Sequence, residues 1–187
     1  MEQVRGLRIR DALDGDREAI QAVSLEAYEQ YAEVMSPDKW ELYRESIRNS
    51  VYGDGPTARI VAEWDGEIVG SVLLFVSSDK AYGLPQLGIE DPIIRLLSVS
   101  PRARGKGVAS ALIKEGARRA LIMGASYLYL HTSDMMASAV RLYERLGFER
   151  AYEKDMMNGE TLVKSFRLDL RVSPWLQSLH TTGLFNS

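Results

Sequence analysis

Leu96-Leu97-Ser98-Val99-Ser100-Pro101-Arg102-Ala103-Arg104-Gly105-Lys106-Gly107-Val108-Ala109-Ser110-Ala111-Leu112 runs from the end of an apolar strand, through a basic turn, into a helix. The strand begins at Ile93 and ends at Val99. The helix extends from about Gly107 to Met123, with Ala109, Leu112, Ile113, Ala117 and Leu121 at helical spacing and Gly124 as its stop. A turn of this kind presents unpaired backbone N–H groups at a helix N-terminus, where the helix dipole favours phosphate. Gly105 and Gly107 carry no side chain to hold a ligand off the backbone. Arg102, Arg104 and Lys106 add charge suited to a polyphosphate. On local physics alone the same residues describe equally well a basic surface turn containing two glycines.

Two nucleotide-binding patterns are excluded. A Walker loop needs Gly, four residues, then Gly-Lys-Ser/Thr, which Gly105-Lys106-Gly107 does not supply. A dinucleotide fingerprint needs a third glycine, whereas Gly107 is followed by Val108, Ala109 and Ser110. The chain of 187 residues carries a formal net charge of −3, so the basic cluster is local and suits a small anion rather than nucleic acid. Cysteine is absent, which removes disulfides, thiolate metal sites and a cysteine nucleophile, and fits a reducing interior. No apolar run approaches the ~20 residues that span a bilayer, and Met1 to Arg5 opens no signal-peptide core. The expected compartment is the cytoplasm, with no membrane partner.

Around the deciding stretch the elements order themselves. Leu7 to Arg10 alternates as a first strand. A helix capped by Asp14 or Asp16 carries Ile20, Val23, Ala27 and Tyr31, and a second starts at Ser36-Pro37-Asp38. Strands Ala58 to Trp64 and Glu67 to Val76 flank Asp65-Gly66, a two-residue hairpin signal. Residues 77–91 read as a loop that either faces substrate or merely connects. After the deciding stretch come a strand (Tyr127 to Thr132), a helix (Met136 to Leu146) and a final pair of strands, Phe148 to Lys154 and Thr161 to Leu170. The tail, 171–187, is open to three readings: a packed extension, an oligomer contact or a partly disordered end.

With the elements in this order, the chain resembles the Gcn5-related N-acetyltransferase (GNAT) family. That family's pyrophosphate signature, Arg or Gln, two residues, Gly, one residue, Gly or Ala, is matched by Arg104 to Ala109, and Leu97 to Pro101 matches the approach to it. Downstream, Ala139-Val140-Arg141-Leu142-Tyr143-Glu144-Arg145-Leu146-Gly147-Phe148 resembles the family's helix ending in Leu-Tyr-x-x-x-Gly-Phe. The resemblance covers Leu7 to Leu170. It implies an α/β (α+β) fold: a mixed, mostly antiparallel sheet of about seven strands, helices on both faces, and a cleft where the fourth and fifth strands splay apart. Residues 5–170 are expected to form the acetyltransferase domain and 171–187 an extension.

The implied activity is transfer of the acetyl group of acetyl-CoA to an amine of a small molecule or peptide, by direct attack in a ternary complex and without metal. The alternative is a catalytically weak acyl-CoA-binding sensor on the same fold. The resemblance assigns cofactor binding to Leu97, Ser98 and Val99 on the fourth strand and to Arg104, Gly105, Lys106, Gly107, Val108, Ala109 and Ser110 at the helix start. It assigns to Tyr143 the proton that the departing thiolate needs, a role phenol can fill uncharged; the residue also reads as a core aromatic beside Val140, Leu142 and Leu146. One departure stands out: Ser133-Asp134-Met135-Met136 lies where many relatives place an asparagine that contacts the cofactor. Candidate bases are Glu63, Glu90, Asp91 and His131. Acidic and aromatic residues in the segments that set specificity, among them Glu26, Tyr28, Glu29, Tyr31, Trp40 and Tyr43, suit a cationic acceptor. The family includes homodimers, and nothing in these residues establishes one.

Overall fold

The computed structural model describes residues 5–181. Eight strands form the sheet: β1 (Leu7–Asp11), β2 (Ala58–Trp64), β3 (Glu67–Phe75), β4 (Ile93–Val99), β5 (Tyr127–Thr132), β6 (Glu149–Arg150), β7 (Met156–Asn158) and β8 (Thr161–Asp169). The path is β1-β2-β3-β4-β5-β8-β6, with β7 paired to β8 off that path. All pairings are antiparallel except β4 with β5. The helices are α1 (Arg17–Tyr28), α2 (Pro37–Tyr52), α3 (Ser78–Tyr82), α4 (Val108–Ile122), α5 (Ala137–Arg145) and α6 (Pro174–Thr181).

Strand alternation sorts the core into two faces. Ile60, Ala62, Val72, Leu74, Ile94, Leu128 and Leu130 pack with Val108, Leu112, Ile113 and Ala117 of α4. The residues between them, Val61, Leu73, Phe75, Ile93 and Tyr129, face the opposite way, Val61 packing with Ile20 of α1 and Ile47 and Val51 of α2. Gly70 on β3 lets α4 sit close: a Cβ there would meet the Ser98 carbonyl oxygen at 3.0 Å and Val108 Cγ1 at 3.0 Å. Asp65 and Gly66 form the two-residue turn between paired Trp64 and Glu67, both at positive φ as that turn requires.

Two segments differ from the sequence reading, and a third, the tail, takes one of the readings left open. Residues 77–91 contain α3 and a short 3-10 turn, Pro85–Leu87, and bury Ala81 and Ile89. Ser77 caps α3 by accepting from the Lys80 N–H at 3.3 Å, and Gly83 closes it in the left-handed region. The expected strand from Phe148 to Lys154 is broken after Arg150 by the 3-10 turn Tyr152–Lys154. Asp155 fixes that break by accepting from the Ser165 N–H at 2.7 Å and from Arg150 at 2.5 Å. In the tail, Leu176 is fully buried in the α4 core and Trp175 Nε1 donates to the Leu146 carbonyl at 2.9 Å. This part of the tail is a packed extension; residues 182–187 lie outside those described.

Candidate active site

The sheet is nearly severed in its middle. Between parallel β4 and β5 the one register pair is Ile93 with Tyr129, next to the Tyr129 N–H bond to the Pro92 carbonyl at 2.9 Å. Beyond that point the strands part. On the other side of β4, Ser71 pairs with Ser98 and Leu73 with Arg95, leaving Val72 opposite both Leu96 and Leu97. This is a bulge, and Leu96 adopts φ +53 within it. Ser98 Oγ donates to the Leu96 carbonyl at 3.0 Å and holds the bend from within.

The bulge decides which backbone groups face the gap. Ser100 N–H donates to the Val69 carbonyl at 2.8 Å, so the two-residue alternation turns Ser98 and Ser100 toward β3 and Val99 toward the parted side. The Leu97 carbonyl also leaves β3, because it accepts from Tyr28 Oη at 3.2 Å. Val99 thus turns its backbone to the parted side beside Leu97, whereas the Ser98 side chain is buried and its backbone faces β3.

Past β4, the 3-10 turn Pro101–Ala103 leads into α4. Gly105 and Gly107 adopt φ +74 and +78, and no atom lies within 4 Å of where their Cβ atoms would stand. Gly107 caps α4 without a side-chain bond. The N–H groups of Gly107, Val108, Ala109 and Ser110 have no acceptor among the described residues. They form an open donor cluster at the positive end of a fifteen-residue helix. Arg104 Nη2 donates to the Ala27 carbonyl at 3.3 Å, and Lys106 Nζ lies 4.7 Å from the Trp64 ring centre. Both charges sit beside the cluster, tethered to protein.

Tyr143 is rooted in α5, on the α4 face of the sheet, and its ring is buried against Phe148 with ring centres 6.0 Å apart. Its hydroxyl has no hydrogen-bond partner among the described residues. Burial holds its pKa well above the ordinary phenol value, and Tyr31 adds to the shift. Tyr28 of α1 and Tyr82 of α3, from the opposite face, also lie close enough to Tyr143 for their titrations to interact.

None of the candidate bases meets this hydroxyl. His131 is clamped: Nδ1 accepts from Tyr82 Oη at 3.0 Å, and Nε2 faces the Lys154 carbonyl at 3.2 Å. A carbonyl only accepts, so the proton is on Nε2. Burial pushes this imidazole down to about 4, and it is a neutral strut. Glu63 pairs with Arg10 at 2.9 Å on the β1–β2 side. Glu90 and Asp91 precede β4, roughly 20 Å of strand from Leu97. Glu26 accepts from Ser100 Oγ at 3.2 Å and shares with Glu29 and Trp40 a recess of about 350 Å³ between α1 and α2. A larger cavity, about 400 Å³, lies between α2, α3 and β4 and is lined by Lys80 and Arg95 among others. Asp134, in the segment that lacks the family's asparagine, pairs with Lys164 at 2.6 Å.

A family model for the acetyltransferase (GNAT) family matches residues 19–148. The chain belongs to that family. Its sequence is 34% identical over 118 residues to the uncharacterized N-acetyltransferase YjgM of Escherichia coli (strain K12), covering 62% of each protein. The chain spans less than two thirds of the curated relatives it matches. The fold is similar to that of the PaiA N-acetyltransferase of Thermoplasma acidophilum in complex with coenzyme A (TM-score 0.65, 16% identity, 85% of this chain and 97% of that one). It is also similar to that of YncA, a putative acetyltransferase of Salmonella typhimurium with acetyl-CoA (TM-score 0.60, 18% identity, 89% and 95%).

For a GNAT chain, the mixed, mostly antiparallel sheet with helices around it is the one the resemblance implies, and the structure adds that β4 and β5 pair in parallel. Among the described residues there is no cluster of three metal-ligating side chains and no helix long and apolar enough to cross a membrane. Two features of this GNAT site escaped the sequence reading. Leu96 left no trace, because a positive φ at leucine has no signature. Arg95 did leave one: a lone cation between Ile94 and Leu96 in an otherwise apolar strand.

Proposed function

We propose that the chain binds acetyl-CoA in the gap between β4 and β5 and transfers the acetyl group to an amine of a small molecule or peptide, by direct attack with both substrates bound. The observation that carries this reading is the open row of N–H donors from Gly107 to Ser110, set beside a parted pair of strands. The residues fit a diphosphate. Gly105 and Gly107 leave room at the backbone, Val108, Ala109 and Ser110 offer N–H groups, and Arg104 and Lys106 supply the field. Val99 offers outward backbone groups of the kind that pair with an extended amide chain, beside Leu97, whose carbonyl carries the Tyr28 hydroxyl bond.

Acetyl-CoA supplies an acyl group activated as a thioester, from which an amine displaces sulfur. A main-chain N–H in the bulge, at Leu97 or a neighbour, polarises the acyl carbonyl and strengthens as charge grows on its oxygen. Tyr143 Oη holds the proton for the departing sulfur; burial keeps the phenol protonated until it is needed. With His131 locked and Glu63 paired, the amine gives its proton to water. A buried Tyr143 hydroxyl with no partner among the described residues favours turnover over a binding module.

The test is release of free CoA thiol from acetyl-CoA with a panel of primary amines, for the wild type and Tyr143→Phe. The substitution is expected to lower kcat about 100-fold while leaving acetyl-CoA affinity within about threefold. Equal losses in kcat and affinity would make Tyr143 a packing residue. Tight acetyl-CoA binding with no thiol release for any amine would make the protein a sensor.

A further inference from the structure

Arg95 is a charged side chain on a central strand, partly buried, and it has no acid partner among the described residues. Arg10, Arg119, Arg150 and Arg167, also partly buried, each meet a carboxylate within 3.0 Å. Arg95 instead donates from Nη1 to the Ala81 carbonyl at 2.6 Å. Its guanidinium carbon lies 4.7 Å from the Tyr82 ring centre and 5.6 Å from that of Phe75. Two aromatic rings and one carbonyl fix the fork and leave most of its donors without a protein acceptor. A partly buried cation fixed in this way, with donors to spare, suits an anion from outside.

The surroundings say where that anion belongs. Arg95 lines the cavity of about 400 Å³ with Lys80, Phe75, Ser46 and Asn49; Glu45 also lines it without reaching Arg95. Two cations face this space against one carboxylate. Arg95 stands two residues before Leu97, about 7 Å along the strand, on the face that carries Tyr28 and Tyr82. Its charge reaches the phenols of Tyr28, Tyr43 and Tyr82. Tyr28 in turn bonds the bulge itself. An amine at the bulge therefore has Arg95 within the reach of a short molecule.

Resting on the acetyltransferase reading above, we propose that Arg95 is the specificity residue of the acceptor site and that the acceptor is an amino carboxylate. Its carboxylate lies on the Arg95 fork, with Lys80 behind, and its amine at the Leu96–Leu97 bulge. A planar fork held between rings suits a planar, bidentate anion. The acidic residues that suggested a cationic acceptor lie elsewhere: Glu26 and Glu29 line the separate recess between α1 and α2.

The experiment uses the full chain, wild type, Arg95→Met and Arg95→Lys. The probes are the L-amino acids, β-alanine and γ-aminobutyrate, each beside its carboxamide. Acetyl-CoA affinity is measured first; failure of the wild type to bind it overturns the acetyltransferase reading itself. With binding intact, the best free acid is expected to exceed its amide about 100-fold in kcat/KM. Calorimetry is expected to show that acid binding to the CoA-loaded protein. Arg95→Met is expected to remove the acid's advantage, leaving the amide within about threefold and acetyl-CoA affinity unchanged, and Arg95→Lys to restore part of it. Amides serving as well as acids, no acid binding to the CoA-loaded wild type, or equal losses for acid and amide in a folded Arg95→Met would each overturn the inference. If Arg95→Met does not fold, the wild-type ratio of acid to amide decides alone.

Discussion

Single residues in this site are held in states they would not adopt alone. Leu96 occupies the left-handed region, where a leucine costs of order 1–3 kcal/mol, and the Ser98 hydroxyl and the flanking core keep it there. His131 is kept neutral by burial. Unfolded, its imidazole takes up a proton near 6.5; folded, only near 4. Between these values the unfolded chain binds the extra proton, so stability falls as pH falls through that window. The contribution is full above 6.5 and, once lost below 4, amounts to at most about 3 kcal/mol. Thermal unfolding of wild type and His131→Gln from pH 4 to 7 should show the wild type losing more stability on acidification; parallel curves would mean the histidine is not buried neutral. The place of Tyr143 on α5 was readable in advance because a motif fixes it before Gly147-Phe148, while its role came only from the resemblance. Arg95 showed in the sequence only as a lone cation among apolar neighbours; its setting did not, since only the fold brings Phe75 and Tyr82 beside it.

Among the elements, those with a long period or a strong turn signal were the legible ones. Asp65-Gly66 set the β2–β3 turn, and of the five apolar positions expected inward on α4 three, Leu112, Ile113 and Ala117, are buried, with Val108, Gly116 and Ala120 completing that face. The five residues of α3 are too few for a period to show, and the chain around Arg150 carries strand-like residues while Asp155 pulls it out of register. The contact between β3 and α4 is the joint that fixes the helix start against the gap. Gly70→Ala places a methyl group 3.0 Å from both Val108 Cγ1 and the Ser98 carbonyl. Overpacking of this kind costs about 1–3 kcal/mol, so the melting temperature should drop by roughly 3–10 °C, with weaker acetyl-CoA binding as Val108 shifts. An unchanged melting temperature would show that α4 does not press on β3 as described.

The molecule as a whole is two antiparallel half-sheets, β1 to β4 and β5 with β8, β6 and β7, joined by a short parallel contact. The core on either face is continuous with both halves, so the gap stays open at one end while the sheet stays whole. That division was implied by family resemblance and could not be read from periodicity, which sees each strand but not its neighbours. The donor cluster at the start of α4 sits beside the open end, and the proposed function depends on what it holds. The most direct measurement is the acetyl-CoA dissociation constant of the wild type, Gly107→Asn and Gly107→Glu by titration calorimetry. Asparagine tolerates the positive φ of residue 107, so Gly107→Asn controls for backbone strain and should still bind; Gly107→Glu, which puts a carboxylate at the donor cluster, should weaken binding at least about 100-fold while remaining folded. A wild type that does not bind acetyl-CoA, or a folded Gly107→Glu that binds it undiminished, would contradict the account.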